Sequence, residues 1–280
     1  MIRLIAVDID GTLLDSRGRI PDAHRDALRE ASGRGLAVAL VTGRSYHFTR
    51  AVTAALDLPL TLIVNNGAVV KDAGGATLIR YVLPREAARQ VLTQTPAFED
   101  SVAVVFDRHD ERQIVFDRMD WSHPDRRGYY ERNKAFIAPA SPLAAALTED
   151  PIQVMFNGGV EPMRALVGEL RAMAIAAQFS VAITEYERRD FALVDVNGAG
   201  CSKGSTLARW AGAEGFAREE VLAVGDNFND IEMLEFAGTA VVMGNAAAAV
   251  KAHAVHVTAS NDEGGLADAI RRFALDVGAD

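Results

Sequence analysis

Leu4-Ile5-Ala6-Val7-Asp8-Ile9-Asp10-Gly11-Thr12-Leu13-Leu14 is the stretch on which the fold of this chain turns. Four apolar residues in a row predict a short strand buried on both faces, the pattern of a parallel sheet. That strand delivers two aspartates, two residues apart, into a Gly-Thr turn. In open α/β sheets ligands collect where strands end. Two carboxylates placed there repel each other and gain from a divalent cation. One is suited to attack a phosphorus atom while the other moves a proton. Asp and Gly are also ordinary turn residues, so this stretch alone supports both a catalytic pair and a plain turn.

The same strand–helix rhythm extends outward from it. A helix is expected from about Pro21 to Gly33, with proline suited to its first turn and glycine to its end. Leu36–Val41 reads as the next buried strand and ends in Thr42-Gly43-Arg44. A second helix to about Leu56 and a strand at Leu62–Val64, ending in Asn65-Asn66-Gly67, complete a βαβαβ order with right-handed crossovers. The texture changes near Pro84: residues 84–196 mix helices such as Arg85–Gln94 and Val160–Ala177 with five strand-like runs. Asp120–Asn133 reads as a charged, aromatic loop, and Asn157-Gly158-Gly159 as a turn. Alternation then resumes, with a helix at Ser202–Gly212, an apolar strand at Val221–Val224, another at Thr239–Met243 and a short helix in Ala246–Ala252. The expected fold is α/β: a doubly wound, Rossmann-like parallel-sheet core, residues 1–83 and 197–280, with an inserted α+β domain, residues 84–196.

Three further strand or helix ends carry polar residues. Thr42-Gly43-Arg44 offers a hydroxyl and backbone N–H groups where a helix opens, an anion site if it is not simply an N-cap. Lys203 sits at a helix start, where a cation opposes the macrodipole; a bound phosphoryl group would account for it, and so would solvent around a surface lysine. In Gly225-Asp226-Asn227-Phe228-Asn229-Asp230, a strand end is followed by a helix start, each with an aspartate. Helix capping explains one of these carboxylates and leaves the other for metal ligation.

With these four segments in order, the chain resembles the haloacid dehalogenase superfamily of phosphohydrolases, and within it the Cof-type, subclass IIB branch with an inserted C2-type cap. Asp8-Ile9-Asp10-Gly11-Thr12-Leu13 is similar to the nucleophile motif, Thr42-Gly43-Arg44 to the second, Ser202-Lys203-Gly204 to the third, and Gly225–Asp230 to the fourth. Asn65-Asn66-Gly67-Ala68 resembles a segment common in that branch. The resemblance implies a phosphatase for small phosphorylated metabolites, sugar phosphates or a cofactor phosphate, working through an aspartyl-phosphate. Asp8 would be the nucleophile and Asp10 the acid and base. Mg²⁺ would be held by Asp8, the Asp10 carbonyl and Asp226. Thr42 and Lys203 would hold phosphoryl oxygens, with Asp230 and Asn229 orienting the lysine and metal-bound water. Ile9 and Gly43 backbone N–H groups are further phosphate contacts, and Arg44 would bind substrate or pair with a core carboxylate. Because a dehalogenase of this superfamily lacks the second aspartate, Asp10 points to phosphate esters. A phosphomutase of the same branch is the alternative, and a noncatalytic module on the same fold a more distant one.

In that branch the cap closes over the leaving group and sets substrate choice; Tyr186, Arg188 and Arg189 are candidates here, alongside a plain solvated hairpin. Bulk properties agree with a small-molecule enzyme. The chain has 280 residues, 49% of them hydrophobic, which is enough for a sizeable core, and a net charge of −9, which disfavours nucleic-acid binding over the whole surface. The single cysteine, Cys201, rules out an intramolecular disulfide and suits a small packing residue in a reducing compartment. No apolar run reaches membrane-span length, and the opening strand leaves no room for a leader. The expected setting is cytoplasmic, as a monomer or homodimer acting on a small phosphorylated metabolite, with no nucleic acid and no membrane.

Overall fold

A computed structural model describes residues 1–72, 74–108, 112–253 and 255–276. It divides into two compact units, one of Met1–Ile79 with Ser202–Asp280 and the other of Arg80–Cys201.

The first unit opens with β1 (Leu4–Val7), α1 (Asp22–Gly33), β2 (Ala37–Val41), α2 (Tyr46–Leu56), β3 (Thr61–Val64), β4 (Val69–Lys71) and β5 (Thr77–Arg80). The inserted segment supplies α3 (Arg85–Gln94), β6 (Val102–Val105), β7 (Ile114–Phe116), α4 (Pro124–Asn133), β8 (Ile137–Pro139), β9 (Gln153–Gly158), α5 (Val160–Ala172), β10 (Phe179–Tyr186) and β11 (Phe191–Gly198). The chain then returns through α6 (Lys203–Ala213), β12 (Val221–Gly225), α7 (Ile231–Phe236), β13 (Thr239–Val242), α8 (Ala248–Lys251), β14 (His256–Val257) and α9 (Gly265–Ile270).

The first unit is built on an eight-stranded sheet in the order β14-β13-β12-β1-β2-β3-β4-β5. All neighbours from β14 to β3 are parallel, while β4 runs back against β3. Strand order reverses between β1 and its neighbours β12 and β2, and that switch point is where open α/β sheets bind ligands. Register keeps the three ends level: Val7 pairs with Val224 on one side and Leu40 on the other. Asp8 therefore leaves the sheet beside Gly225 and Val41. The central strands β1, β2 and β12 are apolar because both of their faces are covered. Leu4 and Ala6 pack with Leu207, Trp210, Met233 and Leu234 from α6 and α7, and α1 packs against α9. Each fully buried Leu or Ile of this kind contributes about 1.5–3 kcal/mol relative to exposure.

The second unit is a six-stranded sheet in the order β10-β11-β9-β6-β7-β8, antiparallel except for β7 beside β8. The apolar faces of α3 and α5 cover one side of it, with Ala87, Val91, Leu166 and Leu170 packed against Val104, Val154, Phe156 and Val194. Cys201 and Met163 are buried packing residues.

Three sequence expectations change. Residues 124–133 form a helix rather than a loop: the His123 side chain accepts the Asp125 N–H as a cap and Pro124 presets the first turn, although the helix has no apolar stripe. Asn157 and Gly158 belong to β9, paired with Leu193 and Ala192, and Gly159 caps α5 instead of forming a turn. Thr42-Gly43-Arg44 does not open a helix, since α2 begins at Tyr46 after Ser45.

Candidate active site

The site is assembled at the sheet switch point from loops that follow β1, β2, β3, β12 and β13, and from the start of α6. Its centre is Lys203. The side chain is 1% exposed, and its ammonium donates at 2.6 Å to Asp8 Oδ1 and at 2.6 Å to Asp230 Oδ1. Ser202, whose hydroxyl accepts the Ser205 N–H, caps α6 and fixes where Lys203 emerges. The other oxygen of Asp230 accepts the N–H groups of Asp226 and Asn227, each at 3.0 Å. Asp230 thus anchors both the lysine and the β12 loop.

Asp226 approaches the nucleophile-motif loop closely. Thr12 Oγ1 donates to Asp226 Oδ1 at 3.0 Å. Gly11 has a φ of +87°, and a Cβ there would lie 2.2 Å from Asp226 Oδ2, so only glycine fits. Carboxylate oxygens of Asp8, Asp226 and Asp230 lie within 4.8 Å of one another.

Three carboxylates share one ammonium in a buried site, and their protonation shows the imbalance. Burial, and then the Asp230 charge, push the Asp8 carboxyl up to about 8 against the pull of Lys203. Burial and the charges of Asp8 and Asp230 raise Asp226 well above the usual carboxylate range. Burial alone would lower Lys203, but Asp230 and Asp8 outweigh it and hold the ammonium above its ordinary value. This excess of hard, anionic oxygen fits a divalent cation. Since Asp230 is committed to Lys203 and to backbone N–H groups, Asp8 and Asp226 are the carboxylates with capacity left.

Asp10 is engaged differently. Arg44 Nε donates to Asp10 Oδ2 at 2.7 Å and Arg44 Nη2 to Asp10 Oδ1 at 2.6 Å, a parallel fork. The guanidinium also lies over the Phe48 ring at 4.4 Å. Of the two roles considered for Arg44, pairing with a carboxylate is the one this geometry displays. Thr42 is buried, and its Oγ1 accepts the Arg44 N–H at 3.1 Å, which leaves the hydroxyl proton to donate elsewhere. Ile9 is buried directly after Asp8, and Gly43 lies against the Asn66 carboxamide.

Asn229 donates to Asn66 Oδ1 at 2.9 Å, while Asn229 Oδ1 is buried with no partner among the described residues. Asn65 and Asn66 both adopt left-handed backbone, with φ of 51° and 54°. Their N–H groups bond Arg44 O and Thr42 O, which ties the β3 loop to the β2 loop. Thr12, Asn66 and Asn245 were given no role in the sequence reading. The signal that finds them is positional: each lies in a loop that follows a parallel strand of the first sheet, Thr12 after β1, Asn66 after β3 and Asn245 after β13.

The remaining sequence candidates lie in the second unit. Tyr186 ends β10, and Arg188 and Arg189 sit in the turn to β11. Arg189 Nη1 donates to Asp125 Oδ1 at 2.7 Å, and its guanidinium covers the Tyr186 ring at 4.3 Å. Arg188 is exposed and makes no side-chain hydrogen bond or ion pair among the described residues.

This fold and this cluster are those of a phosphate-handling hydrolase built on a doubly wound sheet. A family model for haloacid dehalogenase-like hydrolases matches residues 5–270, and the chain belongs to that family of enzymes. It is 29% identical over 277 residues to 5-amino-6-(5-phospho-D-ribitylamino)uracil phosphatase YcsE of Bacillus subtilis, with 98% of this chain and 96% of the relative covered. It is 30% identical over 277 residues to pyridoxal phosphate phosphatase YbhA of Escherichia coli, with 96% and 97% covered. Among solved structures, a phosphatase of the haloalkanoate enzyme superfamily from Bacteroides thetaiotaomicron superposes with a TM-score of 0.80 at 25% identity, covering 98% of this chain and 96% of that one. No helix among the described residues is long and apolar enough to cross a membrane.

Proposed function

We propose that the chain is a Mg²⁺-dependent phosphatase that hydrolyses phosphomonoesters of small metabolites, sugar phosphates or a cofactor phosphate, through an aspartyl-phosphate on Asp8. The observation that carries this reading is the buried Lys203 ammonium shared by Asp8 and Asp230 at the end of the central strand. A nucleophile needs a fixed direction and a neighbouring cation for the anion it attacks, and this arrangement supplies both.

An Asp8 oxygen attacks phosphorus in line, the phosphorus–ester oxygen bond breaks, and Asp10, protonated and turned out of the Arg44 fork that it forms as a carboxylate, gives its proton to the departing alcohol. Asp10 then takes a proton from water, whose oxygen attacks phosphorus, and the bond to Asp8 breaks. Phosphate leaves and both aspartates return to their starting states. Thr42 donates its free hydroxyl proton to a phosphoryl oxygen, and Lys203 holds a second one. The backbone N–H groups of Ile9 and Gly43 add neutral donors. Asp230 keeps Lys203 in place, and the open acceptor of Asn229 suits a water at the cation. Asp8, Asp226 and the Asp10 carbonyl would hold Mg²⁺, which when bound neutralises charge on the transferring group.

The inserted domain, proposed as residues 84–196 in the manner of a C2-type cap, carries substrate choice through side chains such as Arg188. The relatives named above support the substrate class, since both are named for small phosphomonoesters. The test is phosphate release from a panel of phosphorylated metabolites with Mg²⁺ or with EDTA. Metal-dependent release concentrated on a few esters is the expected result. Folded protein that releases none overturns the reading, and phosphate moved within a substrate without release would make it a phosphomutase.

A further inference from the structure

Asn245 follows β13 and lies outside every motif considered in the sequence. Its exposed carboxamide makes three hydrogen bonds. Nδ2 donates to Gly11 O at 2.9 Å and, at 3.3 Å, to Asp226 Oδ2, while Oδ1 accepts the Asn261 N–H at 3.0 Å. The two donor contacts reach two different loops, those that follow β1 and β12.

Backbone contacts, rather than burial, hold this side chain in place. Met243 N–H donates to Gly225 O and Gly244 N–H to Ala259 O, both at 3.0 Å. Lys251 Nζ donates to Gly244 O at 2.6 Å. A Cβ on Gly244 would meet the backbone of 258–260 at 2.8 Å, so the turn is pressed against that segment. Asn261 in turn donates from Nδ2 to Leu14 O at 2.7 Å, a second tie between this segment and the nucleophile loop.

We infer that Asn245 is a positioning residue for the cation site: its carboxamide fixes the Asp226 carboxylate against the Gly11 backbone. Thr12 holds Asp226 Oδ1 and Asn245 holds Oδ2. Each oxygen keeps a second lone pair for a cation. Without the Asn245 amide, Asp226 can rotate on one bond to Thr12 and lose its alignment with Asp8. Hydrogen-bond partners of this kind, behind the ligands themselves, typically change metal affinity by about 10- to 100-fold.

The inference rests on the Mg²⁺ reading above, and its test reads metal binding without turnover. The melting temperature of the full chain is followed through a MgCl₂ titration, with no substrate, for wild type, Asn245→Ala and Asn245→Gln. Asn245→Ala is expected to need about 10- to 100-fold more Mg²⁺ for the same stabilisation, with its melting temperature in EDTA unchanged. Asn245→Gln, which keeps the amide on a longer arm, recovers part of the loss. An Asn245→Ala titration that overlays wild type overturns the inference while leaving the phosphatase reading intact. A weaker response matched by a drop in EDTA, without recovery in Asn245→Gln, also overturns it, because the residue would then be merely structural. Wild type that Mg²⁺ does not stabilise overturns both readings.

Discussion

Arg44 grips Asp10 through two parallel hydrogen bonds of 2.7 and 2.6 Å, and it does so from the loop that also carries Thr42. Movement of the loop proposed to bind phosphate is therefore transmitted to the residue proposed to move protons. The fork is specific to a guanidinium, and the Phe48 ring beneath it fixes its plane. Arg44→Ala is expected to lower kcat by about 10- to 100-fold, the scale of a small misplacement of a reacting group. Arg44→Lys, a point charge without the fork, is expected to recover only part of this. Steady-state kinetics at saturating Mg²⁺ check both, and kcat unchanged in Arg44→Ala would leave the fork without a catalytic purpose.

Protonation of the carboxylate cluster should make the proposed Mg²⁺ binding depend on pH. Burial and the Asp230 charge push the Asp8 carboxyl up to about 8, against 3.8 for an ordinary aspartate, and burial and the Asp8 charge raise Asp226 in the same direction. For a group raised in the folded state, the stabilising contribution is complete below about pH 4 and is lost as pH rises through about 8. A cation replaces the proton on the same oxygens. The stabilisation by Mg²⁺, measured as the melting temperature in MgCl₂ minus that in EDTA, should therefore grow from pH 5 to about 8 and then level. Calorimetry at pH 7 in buffers of different ionisation enthalpy should show proton release on binding. A pH-independent shift would mean that the cation does not reach Asp8 or Asp226.

The parallel core was legible because buried strands are written as apolar runs ending in polar residues: Leu4–Val7 before Asp8, Ala37–Val41 before Thr42, and Val221–Gly225 before Asp226. Lys203 shows the limit of local reading. At a helix start it resembles any solvated lysine, and only residues 195 positions earlier and 27 later explain its burial. Helix α4 was missed because its hydrophobic periodicity is weak, and its formation depends on the His123 cap and Pro124. Asn245 was missed for a related reason, since its meaning lies in hydrogen bonds to Gly11 and Asn261, distant in sequence.

Lys203 also bears on stability. Its ammonium is the one cation in hydrogen-bond contact with both Asp8 and Asp230 among the described residues. Lys203→Met would leave those carboxylates buried without it, and breaking a buried pair in this way costs about 3–5 kcal/mol. Urea unfolding in EDTA at pH 7.5 is expected to show a loss of that size, and activity should disappear with it. Mg²⁺ should restore part of the stability and none of the turnover, since phosphoryl oxygens would still lack the ammonium. A variant as stable as wild type in EDTA would mean that the carboxylates take up protons without penalty.

The proposed nucleophile has the simplest test. Asp8→Asn keeps the shape of the side chain and an oxygen for Lys203, but removes the charge that attacks phosphorus. Phosphate release should fall by about 10⁶-fold, the scale of loss seen when a nucleophile is removed, with the circular dichroism spectrum unchanged. Full activity in this variant would assign the attack to another group.

Arg188 and Arg189, adjacent in the chain, should behave oppositely. Arg189 is tied to Asp125 and stacked on Tyr186, so its role is to hold the turn against the start of α4. As an exposed pair it contributes no more than about 1 kcal/mol, and Arg189→Ala should lower the melting temperature slightly while leaving KM values alone. Arg188 lacks such contacts among the described residues, so Arg188→Ala should leave stability unchanged. If Arg188 meets the anionic or polyhydroxyl part of a substrate, its loss raises KM for some esters of the panel and not for others. Equal KM values for wild type and Arg188→Ala across the whole panel would show that substrate choice is made elsewhere, and Arg188 would then be a solvated surface charge.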